Sequence, residues 1–362
     1  MKQLFRPALI IALLAILALA GRFVLQRSDD WGVPQISDSP TPPIFVPPAN
    51  EVLVANFGGD SIVGFAIQQN GSVDSSPARI IAGNNTGIDD PVAVAINSSG
   101  DIVVLNSGVT LGNPGILIFS SSAHGNVAPA QTITDPMFVN PQGFAYVGNS
   151  IWVANWVTPP DPLNSSAILR LQSGQPPATR LLNTAPPNDL SYRSGGRYAY
   201  IPVAPDDEVL ILQDTTFSGV ASPYATLSGS STLLDQPMRA AVDGNNAFYV
   251  VNRGNYTINI YDPLPLSSGG VLDVPPVNRL RPGPQYRISN PLGIAVTPGG
   301  RLFVGDGNRL LVLDRSGSTI IFGQEILSST VSVPGSSVAR NSLNTPYGIA
   351  LRCAPPSCPS PP

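Results

Sequence analysis

The chain repeats one phrase six times, and repetition at this period leaves it few folds. Each copy has a proline, a short apolar strand, a turn, a second strand and a third. The phrase is clearest at Pro291-Leu-Gly-Ile-Ala-Val, Arg301-Leu-Phe-Val-Gly-Asp306 and Arg309-Leu-Leu-Val-Leu-Asp314. The proline anchors are Pro91, Pro141, Pro187, Pro237, Pro291 and Pro346, spaced 46 to 55 residues apart. One small sheet cannot bury both of its faces, so copies at this spacing must stack on one another.

First strands follow the anchors at 92–96, 142–146, 188–192, 238–242, 292–296 and 347–351. Second strands read 52–56, 102–106, 151–155, 198–202, 248–252 and 302–306, and third strands 62–65, 116–119, 168–171, 209–212, 258–261 and 310–313. All are short runs of β-branched and aromatic residues bounded by Gly, Asn, Ser and Pro, which is the signature of strands. A weaker fourth strand completes a unit, as at 79–82, 131–134 and 319–322. The expected fold is all-β: a six-bladed β-propeller of four-stranded blades over residues 51–352. The chain enters at Glu51 on a second strand, while the last anchor, Pro346, leads a first strand with nothing after it. The C-terminal strand is therefore expected to complete the first blade and close the ring.

The phrase Pro-x-Gly-Ile-Ala-Val, a Gly turn and Leu-Phe-Val-x-Asp/Asn resembles the NHL repeat and the six-bladed propellers of the SMP-30 and gluconolactonase type, over roughly residues 51 to 351. The resemblance implies architecture more than activity, since such propellers serve as enzymes, sensors and docking platforms. A gluconolactonase-type site would imply a metal held by an inner-strand Glu with Asn and Asp partners, and no inner strand here carries a Glu. An NHL-type lyase would imply several histidines. The chain has one, His124, in a hairpin turn where exposure is expected.

Only 12% of the residues are charged and the net charge is −4, without a basic cluster beyond the N-terminus, so nucleic-acid binding is not expected. Lys2 and Arg6 precede the uncharged apolar run 7–21, which ends in Ala18-Leu-Ala20. This is a secretory signal, with the A-x-A pattern of a cleavage site. Apolar character resumes at Phe23-Val-Leu25, and Arg22 can snorkel, so retention is equally open. The expectation carried forward is retention: an N-terminal transmembrane helix at 1–27, a Pro-rich linker at 28–50, and the propeller on the periplasmic or extracellular side. Residues 353–362 form a Cys- and Pro-rich tail, where Cys353 and Cys358 are expected to form a disulfide bracing the seam.

Two sets of residues recur around the expected channel. At the ends of the second strands stand Asn56, Asn106, Asn155, Pro202, Asn252 and Asp306. They read either as a polar ring for Ca²⁺ or another hard divalent cation, or as strand caps that shape the next turn. Two places after each anchor stand Ala93, Gly143, Asp189, Arg239, Gly293 and Gly348, where Asp189 and Arg239 break a rule of small residues. They read as an ion pair, or as a clasp in which Arg239 holds a ligand carboxylate. Blade 4 departs twice, with Asp189 and with Pro202. A Walker loop, a nucleophile elbow and a haem-attachment motif are absent from the sequence.

The function expected from these residues is a non-catalytic, membrane-anchored propeller, without a cofactor, serving as a scaffold subunit of a membrane complex such as a respiratory or photosynthetic one. The weakly charged surface, with Phe57 and Trp156 beside the ring asparagines, motivates it. The alternatives are a metal-dependent lactonase or hydrolase of the SMP-30 type, and a periplasmic ligand sensor.

Overall fold

The computed structural model describes residues 45–353 apart from 157–165, 174, 176, 183–184, 194–195, 214–219, 268 and 317–318. The expected membrane helix at 1–27, most of the 28–50 linker and Cys358 lie outside the described residues. Among the described residues no helix is long and apolar enough to cross a membrane.

Six sheets form the ring. Blade 1 runs Pro346–Arg352, Glu51–Asn56, Ser61–Ala66 and Arg79–Ala82 from the channel outward, and blade 2 runs Pro91–Ile96, Ile102–Asn106, Gly115–Phe119 and Gln131–Ile133. Blade 5 runs Pro237–Val242, Phe248–Asn252, Thr257–Tyr261 and Asn278–Leu280, and blade 6 runs Pro291–Val296, Leu302–Asp306, Arg309–Ser316 and Thr319–Leu327. The C-terminal strand closes the ring, pairing antiparallel with the first strand of the chain from Glu51 opposite Arg352 to Ala55 opposite Gly348.

The sequence pattern explains the closure. Strand residues are apolar without alternation because both faces of each blade are buried. Val52 and Val54 pack toward blade 6 with Phe303 and Leu310, while Leu53 and Ala55 pack toward blade 2 with Val94 and Val104. Each of the six apolar clusters fills one seam between neighbouring blades. Removing this apolar surface from water is the main force holding the ring together.

Two blades depart from the expected four strands. Blade 3, Asn140–Val147, Ser150–Trp156, Ser166–Gln172 and Ala178–Leu182, gains Val220–Ala221 in parallel at its outer edge. Blade 4, Ser191–Tyr192, Tyr198–Val203, Glu208–Gln213 and Ala225–Leu227, gains Gly270–Leu272 in the same way. Each added strand comes from the connection between the third and fourth strands of the next blade. A parallel bridge from Gly125 to Ile81 repeats the device at blade 1. The connections thus reach back and pair the open edge of the preceding blade, which otherwise presents unpaired backbone groups.

The inner strand of blade 4 is also shorter than expected, only Ser191–Tyr192. Its pairing is limited to Ser191 opposite Tyr200 and Tyr192 opposite Ala199. The Asn188 N–H donates to Pro202 O at 2.9 Å, but proline has no N–H to return, which leaves Asn188 O without its ladder donor.

Candidate functional site

The inner strands converge at their anchor ends, which explains the small residues there. A Cβ on Gly348 would sit 2.6 Å from Ala93 Cα, and one on Gly143 would sit 2.3 Å from Asp189 Oδ1. In blades 1, 2, 3, 5 and 6 the register also slips at the residue after the proline, bypassing Tyr347, Val92, Gln142, Met238 and Leu292. A bulged residue is left out of the ladder.

Arg239 uses what the bulges leave. Its guanidinium donates from Nη1 to Gln142 O at 3.0 Å and Asn188 O at 2.5 Å, and from Nη2 to Val92 O at 3.3 Å. It thereby ties blade 5 to blades 2, 3 and 4, and its Cζ stands 5.3 Å from the ring centre of Tyr347 in blade 1. Asp189 Oδ1 lies 3.4 Å from Nη1, and Asp189 Oδ2 accepts from the Ala240 N–H at 3.3 Å. Arg239 Nε is buried without an acceptor. Burial pushes the Asp189 carboxyl above its ordinary value, against the opposing pull of Arg239 and of the Ala240 and Leu190 N–H groups.

The pair forms the floor of a cavity of about 360 Å³ that runs along the channel from Arg239 toward the turn ends of the inner strands, past Tyr192, Ala95 and Ala295 to Tyr146, Thr297 and Cys353. Asp189 and Arg239 thus meet, but at the inner end of a cavity whose other end lies on the opposite face of the ring. Tyr146, Tyr192 and Tyr347 give it aromatic walls. These three were not singled out from sequence. Their signal was available, since each sits in an inner strand whose residues line the channel.

The Asn and Asp ring has other work. Asn106 Oδ1 accepts the Asp89 N–H at 3.2 Å while its Nδ2 donates to Gly87 O at 2.7 Å. Asn155 takes the N–H groups of Val139 and Asn140 and donates to Met137 O, and Asn252 takes that of Asp235. Asp306 takes those of Ser289 and Asn290 and is paired with Arg309 at 2.6 Å. Asn56 does the same across the closure, accepting from Asn344. Each side chain staples the loop that leads into the inner strand of its own blade, and all five are buried. Their oxygens serve these loops.

Phe57 and Trp156 are engaged as well. The Phe57 ring packs 4.9 Å from Tyr347, and Trp156 Nε1 donates to Pro187 O at 2.8 Å. His124 is not free in its turn: it stacks on Phe45 at 4.4 Å and accepts the Ile80 N–H at Nδ1. Burial, then the charge of Arg79, lowers its pKa.

No protein-family model and no curated protein sequence matches the chain. Solved structures do match. The periplasmic gluconolactonase of Pseudomonas aeruginosa superposes at a TM-score of 0.55 with 15% identity, covering 84% of this chain and 99% of that one. A Bacteroides uniformis protein provisionally named a 6-phosphogluconolactonase gives 0.56 and 13%, covering 83% and 99%. A chain from the structure of a nidogen/laminin complex gives 0.56 and 14%, covering 84% and 100%. These likenesses show the fold, and the resemblance to the gluconolactonase type stands at the level of architecture. They correct one expectation: the chain was read as not an enzyme, and proteins named as lactonases share its architecture over nearly their whole length.

Proposed function

We propose that the chain is a lactonase-like hydrolase whose substrate, a small polar sugar-acid lactone, enters the channel cavity and reacts over Asp189 and Arg239. The observation that carries this reading is the pair of buried Arg239 and half-buried Asp189, 3.4 Å apart, on the floor of a cavity of about 360 Å³. That volume suits a small ligand. The tyrosine walls offer faces for a sugar ring and hydroxyls for its polar edge.

In the proposed step Asp189, ionised, takes a proton from a water molecule that attacks the lactone carbonyl carbon. The carbonyl electron pair moves onto oxygen, where the fixed charge of Arg239 stabilises it. The tetrahedral intermediate then collapses, the ring C–O bond breaks, and the departing oxygen receives the proton from Asp189. The product is the open-chain hydroxy acid. The strands hold both groups before substrate arrives, and arginine anchored on three carbonyls cannot swing away, which is the preorganisation this chemistry needs. We place this activity outside the cytoplasmic membrane, on the sequence character of residues 1–27.

Filling the cavity tests the reading. Ala95 lines it, and Ala95→Phe blocks the channel without touching Asp189 or Arg239. Followed by pH-stat on aldonolactones, the wild type accelerates acid release over the spontaneous rate and Ala95→Phe does not. Equal rates for both variants would place any activity elsewhere.

A further inference from the structure

The seam between blades 1 and 2 carries carboxylates that the channel does not use. Asp60 follows the turn Phe57–Gly59 in the left-handed conformation, at φ 44°. Asp89 and Asp90 stand directly before the anchor Pro91, with Asp90 also left-handed at φ 48°. One oxygen from each of the three carboxylates lies within 4.8 Å of the others.

Each carboxylate is aimed by a backbone N–H. Asp60 Oδ1 accepts from Asp90 at 3.0 Å, Asp90 Oδ2 from Thr110 at 2.8 Å, and Asp89 Oδ2 from Leu111 at 3.0 Å. Among the described residues no cationic side chain forms an ion pair with any of them. Asp89 is 1% exposed, and its second oxygen, Oδ1, is buried without a donor. A buried carboxylate oxygen beside two like charges is costly unless something positive joins it. Burial foremost, with Asp90 and Asp60 adding to it, raises the Asp89 carboxyl against the N–H groups of Leu111 and Asn113.

The ring supplies its own control. Asp207, left-handed after the turn Ala204–Asp206, accepts the Gln236 N–H at 2.7 Å, and Asn308 accepts the Thr345 N–H at 3.3 Å. Gln236 and Thr345 precede the anchors Pro237 and Pro346, and both are left-handed, as Asp90 is. The turn is therefore built with a neutral residue at two other seams. The fold does not require the charge of Asp90.

We propose that Asp60, Asp89 and Asp90 form a Ca²⁺ site that ties blade 1 to blade 2 and fixes the loop carrying Thr110 and Leu111. The donors are all oxygen, which selects a hard cation over zinc. Ca²⁺ accepts six to eight oxygens in tolerant geometry, where Mg²⁺ demands a near-ideal octahedron. Partly exposed Asp60 leaves a side open for waters to complete the shell.

The test titrates CaCl2 into chelator-treated full-length protein by calorimetry, with melting followed in parallel. Wild type takes up one Ca²⁺ per chain and melts at a higher temperature with Ca²⁺ than with EDTA. Asp90→Gln, copying the blade 5 seam, binds at least roughly tenfold more weakly, loses the Ca²⁺-dependent shift, and melts in EDTA no lower than wild type. Absence of uptake by wild type at millimolar CaCl2 overturns the proposal, as does unchanged binding by Asp90→Gln. Should Asp90→Gln not fold, Asp89→Asn takes its place against the same wild-type titration, with the same two outcomes.

Discussion

Arg239 in blade 5 donates to the carbonyl of Val92 in blade 2, 3.3 Å away across the channel. With Gln142 O and Asn188 O on the same guanidinium, one side chain satisfies carbonyls from three blades and holds Asp189 beside it. Floor of the cavity and lock of the inner ring are the same group.

Replacing Arg239 by Met removes those donors and leaves half-buried Asp189 without its cation. Breaking a buried pair costs about 3–5 kcal/mol. Equilibrium urea unfolding should show a loss of that size. Arg239→Lys should recover only part of it, because an ammonium cannot span the same carbonyls as a planar fork.

The staples predict a smaller effect. Asn106→Ala strands the buried N–H of Asp89 and the carbonyl of Gly87, at about 1–3 kcal/mol. Asn252→Ala should behave alike. Chemical denaturation of the two single variants checks both, and losses below half a kilocalorie would mean that the loops find other partners.

Closure predicts an asymmetry between two truncations. Deleting residues 346–362 removes Ile349 and Leu351 from the blade 6 seam and Ala350 from the blade 2 seam, so that chain should be insoluble. Deleting 354–362 leaves every paired residue of Pro346–Arg352 in place and should give a soluble, folded chain.

The pH dependence follows from Asp189, whose carboxyl is raised above 3.8 by burial. In the window between that value and the raised one, the folded protein holds a proton that the unfolded chain has released. Stability from this group therefore falls as pH rises through the window. Activity runs the other way: the base must be ionised, so kcat/KM for lactone hydrolysis should climb as pH rises through the raised value, an acid limb above the ordinary aspartate range. A pH–rate profile measures it directly.

Much of this was legible in the chain. Val52-Leu-Val-Ala-Asn56 announced a strand buried on both faces, and the unpaired Pro346 strand announced the closure, because both depend on local pattern and on the repeat. Asp189 and Pro202 were visible as departures, but the bond from the Asn188 N–H to Pro202 O depends on register, which single residues do not display. The fifth strands at Val220–Ala221 and Gly270–Leu272 depend on where long connections land, and no propensity in so short a run encodes that. The recurrence of Asn56, Asn106, Asn155, Asn252 and Asp306 at one strand position was plain, while their partners, some 16 residues upstream in most blades, are fixed only once the loops fold back. Asp60 lies 30 residues before Asp90, a distance the ring closes and the chain does not.

Hydrolysis by Asp189 at the channel floor is tested most directly by the rate of aldonolactone opening by Asp189→Asn beside wild type. Both proteins are first matched for fold by circular dichroism and melting. The asparagine keeps the shape and the hydrogen bond to Ala240 but cannot accept the proton from water, so the rate should fall about 10²–10⁴-fold. Lactone opening by Asp189→Asn at the wild-type rate, or none by wild type above the spontaneous reaction, would contradict the account.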